Sequence, residues 1–108
     1  MNLLNIAKEY FKFFKLKDIE NLKNLFDKDI SLQDWEIDVE GLNNVIEKNI
    51  EIFTELDDFE LIINQLYLID NIVFAEIDII TGGAKVSVLD KIEFNDNYKI
   101  QKITAYKG

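Results

Sequence analysis

Tyr10, Asp34 and Asp90 are polar side chains set in runs whose spacing otherwise reads as core. A polar group in such a place needs either a buried partner or a task. Between Lys85 and Phe94, the residues Val86, Val88, Ile92 and Phe94 share one face of a strand, and Asp90 is the only charge among them. A carboxylate there loses hydration, which favours the neutral acid, a hydrogen-bond donor. Asp34 follows Ile30 and Leu32 on one face of a shorter strand, at its very end, where water reaches it. Tyr10 lies in the apolar stripe of a helix, in step with Leu3, Ala7 and Phe14, which carries its hydroxyl inward. Two donors and a carboxylate around an apolar hollow suit proton abstraction beside a carbonyl, with the base taking the proton and the donors holding the oxyanion that forms.

Each residue also has a plainer reading. Tyr10 is then a core tyrosine with one satisfied hydroxyl, and Asp34 caps a turn just before Trp35. A structural Asp90 requires a buried partner such as a lysine or a backbone amide, because an unpaired buried acid costs a few kcal/mol.

The rest of the composition narrows the chemistry. The sequence has no histidine, cysteine or arginine. That removes Ser-His and Cys-His triads, disulfides, thiolate nucleophiles and the common transition-metal sites, and leaves carboxylates, tyrosines and lysines. The acidic groups Glu55, Asp57, Asp58 and Glu60, and Glu36, Asp38 and Glu40, read as solvated loop charge more readily than as a hard-cation site. No metal and no cofactor is expected. A net charge of −9 argues against a nucleic-acid partner. No apolar run approaches the roughly 20 residues of a membrane span, and Met1 to Glu9 lacks the layout of a signal peptide. A cytoplasmic protein without a membrane partner is the expectation.

The elements that must position these groups follow from period. With 108 residues and 48% apolar content the chain suits one domain, residues 1 to 108, with a core of its own. Leu3 to Leu16 has helical spacing with Leu3, Ile6, Ala7, Tyr10, Phe13 and Phe14 inward. Asp18 caps a short helix from Ile19 to Phe26, Asp29 to Trp35 alternates as a strand, and Gly41 opens a helix to about Leu56 with Leu42, Val45, Ile46, Ile50 and Phe53 buried. Strands then succeed one another, separated by turns at Asp70-Asn71, Thr81-Gly82-Gly83 and Asn95-Asp96-Asn97. The phase break between Ile100 and Ile103 predicts a β-bulge near Gln101. Such an order predicts an α+β fold in which helices pack into a strongly curved antiparallel sheet and enclose a cone-shaped pocket. From Phe59 to Ile69 both alternating sets are apolar: Phe59, Leu61, Ile63, Tyr67 and Ile69, and against them Ile62, Leu66 and Leu68. The outer set is expected to pack on a second copy, giving a homodimer.

These residues carry a resemblance. Tyr10-Phe11, the run Asn24-Leu25-Phe26 with Asp29 to Asp34, Gly41, Val88 to Phe94 and Lys99 to Tyr106 resemble the nuclear transport factor 2-like superfamily, in its small SnoaL-like and ketosteroid isomerase-like branch. The resemblance spans nearly the whole chain and implies a cystatin-like cone. Carried over by position, it sets Asp34 as general base, Tyr10 as oxyanion-hole tyrosine and Asp90 as the protonated acid. Trp35, Val88, Ile103 and Ala105 are expected around the substrate. Phe26 and Asn49 stand where such isomerases place further tyrosines, and the sequence stops at Gly108, where some relatives continue with a segment that closes the pocket. Three functions remain open: proton transfer beside the carbonyl of a small apolar ligand, ligand binding or interaction without catalysis, and a SnoaL-like cyclase or dehydratase that uses Asp34 with other donors.

Overall fold

The computed structural model describes residues 2–108. Asn2 starts the first helix, α1 (Leu3–Lys15), because its side-chain oxygen accepts from the amides of Leu4 and Asn5. Ile6, Ala7, Tyr10 and Phe11 form its buried face, and the helix stops one residue short of Leu16, which is exposed. Lys17 takes a left-handed φ of 55°, turning the chain into α2 (Ile19–Leu25), capped as expected by Asp18 on the amide of Asn21. Phe26 belongs already to β1 (Phe26–Gln33), and after a short β2 (Asp38–Glu40), Gly41 opens α3 (Leu42–Glu55). The φ of 90° at Gly41 is one that a side chain tolerates poorly, which is why the helix begins at a glycine. The inward stripe of α3 is Val45, Asn49 and Phe53, and Ile50, expected inside, is 47% exposed.

Four strands complete the chain: β3 (Phe59–Ile69), β4 (Ile72–Thr81), β5 (Ala84–Phe94) and β6 (Ile100–Lys107). Asp70-Asn71 and Gly82-Gly83 make the first two connections two-residue hairpins, with positive φ at Asp70 and both glycines. The six strands form one sheet in the order β2-β1-β6-β5-β4-β3. All neighbours are antiparallel except β1 and β6, which run parallel. The fold is α+β, with three helices against one curved sheet.

Register shifts bend the sheet at three places, one of them in the parallel β1–β6 pair between Phe26 and Ser31. Phe94 pairs with Ile100 and Glu93 with Lys102, leaving Gln101 as the extra residue expected there. A second bulge lies in β3, where Ile63 pairs with Ile77 and Gln65 with Glu76, so Asn64 is the residue left over. It reverses the alternation. Leu61 and Ile63 face the helices before it, and Leu66 does so after it, while Tyr67 and Ile69 join Ile62 on the convex face. The expected grouping of Tyr67 and Ile69 with Leu61 is therefore corrected: an inserted residue shifts every later side chain to the opposite side. The core lies between the helices and the concave face, centred on Phe11, Leu22, Ile30, Val45, Val73, Ile92, Phe94 and Ile100.

Candidate functional site

At one end of this core the layers part around a cavity of about 280 Å³. Its floor is the concave face, including Leu61, Ile77, Val88, Ile103 and Ala105, and its walls come from α1, α3 and the turn after β1. α1 packs over β3 and β4, whereas α3 packs over β1 and β2, so the two helices bring their side chains from different sides.

Tyr10 comes from α1 and is 5% exposed. Its ring sits edge-on to Phe11 at 5.0 Å and against Phe14 and Phe26 at 6.1 and 6.2 Å. No hydrogen bond to the described residues holds its hydroxyl, which is open to the cavity rather than sealed in the core. Burial, reinforced by the nearby charge of Asp90, pushes the phenol well above its usual range, which keeps it a donor.

Asp90 comes from β5 and is 6% exposed. In the sheet it lies between Ala75 of β4 and Ala105 of β6. Two methyl groups as flanking neighbours leave its carboxyl room, and they offer it no donor. Neither a lysine nor a backbone amide of the described residues reaches it. Burial, with the charge of Asp34 second, raises its pKa to about 7.

Asp34 lies one residue beyond β1, at the mouth. Its Oδ1 accepts from the amides of Glu36 and Ile37, both at 2.7 Å, and its own amide donates to the Ile37 carbonyl at 2.8 Å. It caps a turn, as its plainer reading held, and it also lines the cavity; Oδ2 makes no hydrogen bond to the described residues. The same turn brings Trp35, one of the residues expected around the substrate, to the cavity, and it corrects the strand expected to run on to Trp35. Strand alternation would send it away from Asp34, but the strand has ended at Gln33, and both residues line the cavity. Trp35 is half-exposed at the rim, with the Lys107 ammonium 5.7 Å from its ring centre.

Tyr10, Asp34, Trp35, Val88, Asp90, Ile103 and Ala105 thus surround one cavity. Asn49 is the polar lining residue the sequence reading passed over as a site residue. It is 3% exposed, and its Nδ2 donates to the Val45 carbonyl at 3.0 Å. The signal was present: Asn49 is four residues from both Val45 and Phe53, the same interruption of an apolar stripe that singled out Tyr10. Phe26 supplies apolar contact to Tyr10 and no hydroxyl. Among the described residues no three acidic side chains converge closely enough to hold a metal ion. What the arrangement offers is a phenol and a carboxyl group largely withdrawn from solvent, a second carboxyl at the mouth and an apolar interior.

No family model matches the sequence, and no curated protein does. Solved structures do. A candidate ketosteroid isomerase from Kribbella flavida superimposes with a TM-score of 0.88 at 15% identity, covering 98% of this chain and 77% of that one. A candidate isomerase of the SnoaL-like family from Agrobacterium tumefaciens gives 0.84 at 12% identity, over 97% and 96%. An NTF2-like protein of unknown function from Cytophaga hutchinsonii gives 0.84 at 11% identity, over 100% and 91%. The chain has the nuclear transport factor 2-like fold, and likeness at these identities speaks for the fold alone.

Proposed function

We propose that the chain binds a small, mostly apolar carbonyl compound in this cavity and shifts a proton on it. The observation that supports this reading is that Tyr10 and Asp90, both more than nine-tenths buried and neither hydrogen-bonded to the described residues, share an apolar cavity with Asp34. Polar groups held that way are preorganised for charge that develops on a ligand. Asp34 takes the proton from the carbon beside the carbonyl, the C–H electrons form a carbon–carbon double bond, and the carbonyl electrons move onto oxygen. Tyr10 and protonated Asp90 donate to that oxygen. In a β,γ-unsaturated ketone Asp34 then returns the proton to the γ carbon: the β,γ double bond supplies the electrons of the new C–H bond, the enolate double bond shifts to the α,β position and the carbonyl reforms, an isomerisation with no net gain or loss of atoms.

The test is deuterium exchange into small β,γ-unsaturated ketones in heavy water, followed by NMR. The wild type accelerates exchange, and Asp34→Asn removes the acceleration while ketone binding persists. Exchange unchanged in Asp34→Asn would sink the base assignment.

A second reading, binding without catalysis, is favoured by the two amides that already occupy Asp34 Oδ1. It predicts ketone binding without exchange in the wild type.

The protein also acts as a homodimer through its convex sheet face. Ile62, Tyr67 and Ile69 are exposed there, and Lys85, Lys91 and Lys102 alternate with Glu76, Asp78 and Glu93. A face carrying both signs beside an apolar patch can pair with its own copy. No described helix is long and apolar enough to cross a membrane, and an absence of cysteine suits the reducing cytoplasm as its compartment.

A further inference from the structure

Polar groups reach the cavity from several elements. Tyr10 from α1 and the protonated Asp90 from β5 both donate. Asn49 comes from α3, which packs over β1 and β2 where α1 packs over β3 and β4, and Asp34 from the turn after β1. The geometry of Asn49 fixes which way its amide points. A helix carbonyl can only accept, so it is the nitrogen that faces Val45 O, at 3.0 Å, and Oδ1 must turn away from the helix. Oδ1 has no hydrogen-bond partner among the described residues; Asn49 is 3% exposed and lines the cavity, and the oxygen is open to the cavity rather than sealed in the core. Asp34 Oδ2 is likewise an acceptor without a donor, and Glu36 and Glu55 continue the series at the mouth. Among the described residues no lysine lines the cavity; Lys107 stands at its rim over Trp35, and Lys48 is engaged with Glu51 at 2.8 Å.

Resting on the carbonyl-compound reading, we infer that Asn49 is a specificity residue and that the ligand is a carbonyl compound bearing a hydroxyl or N–H group remote from its carbonyl. The carbonyl oxygen meets the donors Tyr10 and Asp90, and the remote group donates to Asn49 Oδ1. A ligand without that group leaves the buried amide oxygen unpaired, which is the strongest way a polar site rejects a near-isostere.

The experiment uses the full chain and a probe series of 1-tetralone and its 5-, 6- and 7-hydroxy isomers, with dissociation constants from NMR titration. One hydrogen bond to a buried amide oxygen is worth about a factor of ten. At least one hydroxy isomer therefore binds the wild type about tenfold more tightly than 1-tetralone, and its binding moves the Asn49 side-chain amide resonances. In Asn49→Leu that ratio falls to near one, whereas Tyr10→Phe weakens parent and hydroxy isomer together and keeps the ratio. If the ketones bind and no hydroxy isomer is preferred, or if Asn49→Leu keeps the preference, the inference is overturned and the carbonyl reading survives. If no tetralone binds the wild type, the carbonyl reading fails and this inference with it. The wild-type amide shifts give an answer that does not depend on the variants folding.

Discussion

Asp34 and Asp90, 56 positions apart in sequence, face one cavity from unequal surroundings. Asp90 is buried between two alanines with its pKa lifted to about 7, partly by the charge of Asp34, while Asp34 sits at the mouth in a turn of backbone amides. Two carboxyls in different surroundings can divide an acid role and a base role between them.

The first prediction concerns that inequality. The Asp90 carboxyl carbon, followed by NMR, titrates with a midpoint near 7. Asp34→Asn lowers the midpoint without bringing it to an ordinary carboxyl value, since burial is the larger cause and remains. A wild-type midpoint near 4 would remove Asp90 as a donor.

The same shift sets a pH dependence of stability. Between about pH 4 and 7 the folded chain holds a proton on Asp90 that the unfolded chain releases, so folding binds a proton. The stability from this group is complete below about pH 4 and is lost as pH rises through 7, a change on the order of 4 kcal/mol for a shift from 3.8 to about 7. Asp90→Asn carries no such proton. In urea unfolding at pH 5 and pH 8 the variant gains on the wild type as pH rises; parallel profiles would count against the shift.

Lys17 gives a prediction about what holds the cavity wall. α3 has no basic residue in its last turn, and Glu55 there is unfavourable beside the negative end of the helix. The left-handed turn at Lys17 delivers its ammonium from the α1–α2 connection to the carbonyls of Phe53 at 2.9 Å, Asp57 at 3.1 Å and Leu56. Lys17→Met keeps the apolar stem and removes the donors, at a cost of about 1–2 kcal/mol. Urea denaturation measures it, and a cost within a few tenths of zero would show the contact to be idle.

How much of this was legible in the sequence depended on whether a polar residue or a phase break stood out against one consistent period. Asp90 stood out because Val86, Val88, Ile92 and Phe94 alternate without error around it, and the Gln101 bulge because Ile100 and Ile103 cannot share a face of a regular strand. The β3 bulge left no such mark: both alternating sets are apolar, so either phase satisfies a burial argument. Asn49 was hidden by its neighbours, since Ile46 and Ile50 offered a more apolar stripe over an adjacent part of the helix, and hydropathy alone chose Ile50 over the residue the fold turns inward. The parallel pairing of β1 with β6 joins segments about 70 residues apart, and no local pattern encodes it.

The last prediction tests the convex face that the β3 bulge creates. Because Asn64 is inserted, Tyr67 and Ile69 lie with Ile62 on the outside, at 45%, 56% and 41% exposure, next to the half-buried Phe74. Sheet faces of this kind are covered by another layer when one is available, and α1, α2 and α3 all lie on the other side. A second copy brings the same patch and both signs of charge. Sedimentation at micromolar concentration gives a dimer for the wild type, and the double variant Ile62→Lys, Ile69→Lys gives a monomer with an unchanged circular dichroism spectrum, because both positions are exposed in the single chain. A wild type that runs as a monomer across that range leaves the convex face without its proposed occupant, and the cavity, which this chain builds from its own residues, is unaffected by that outcome.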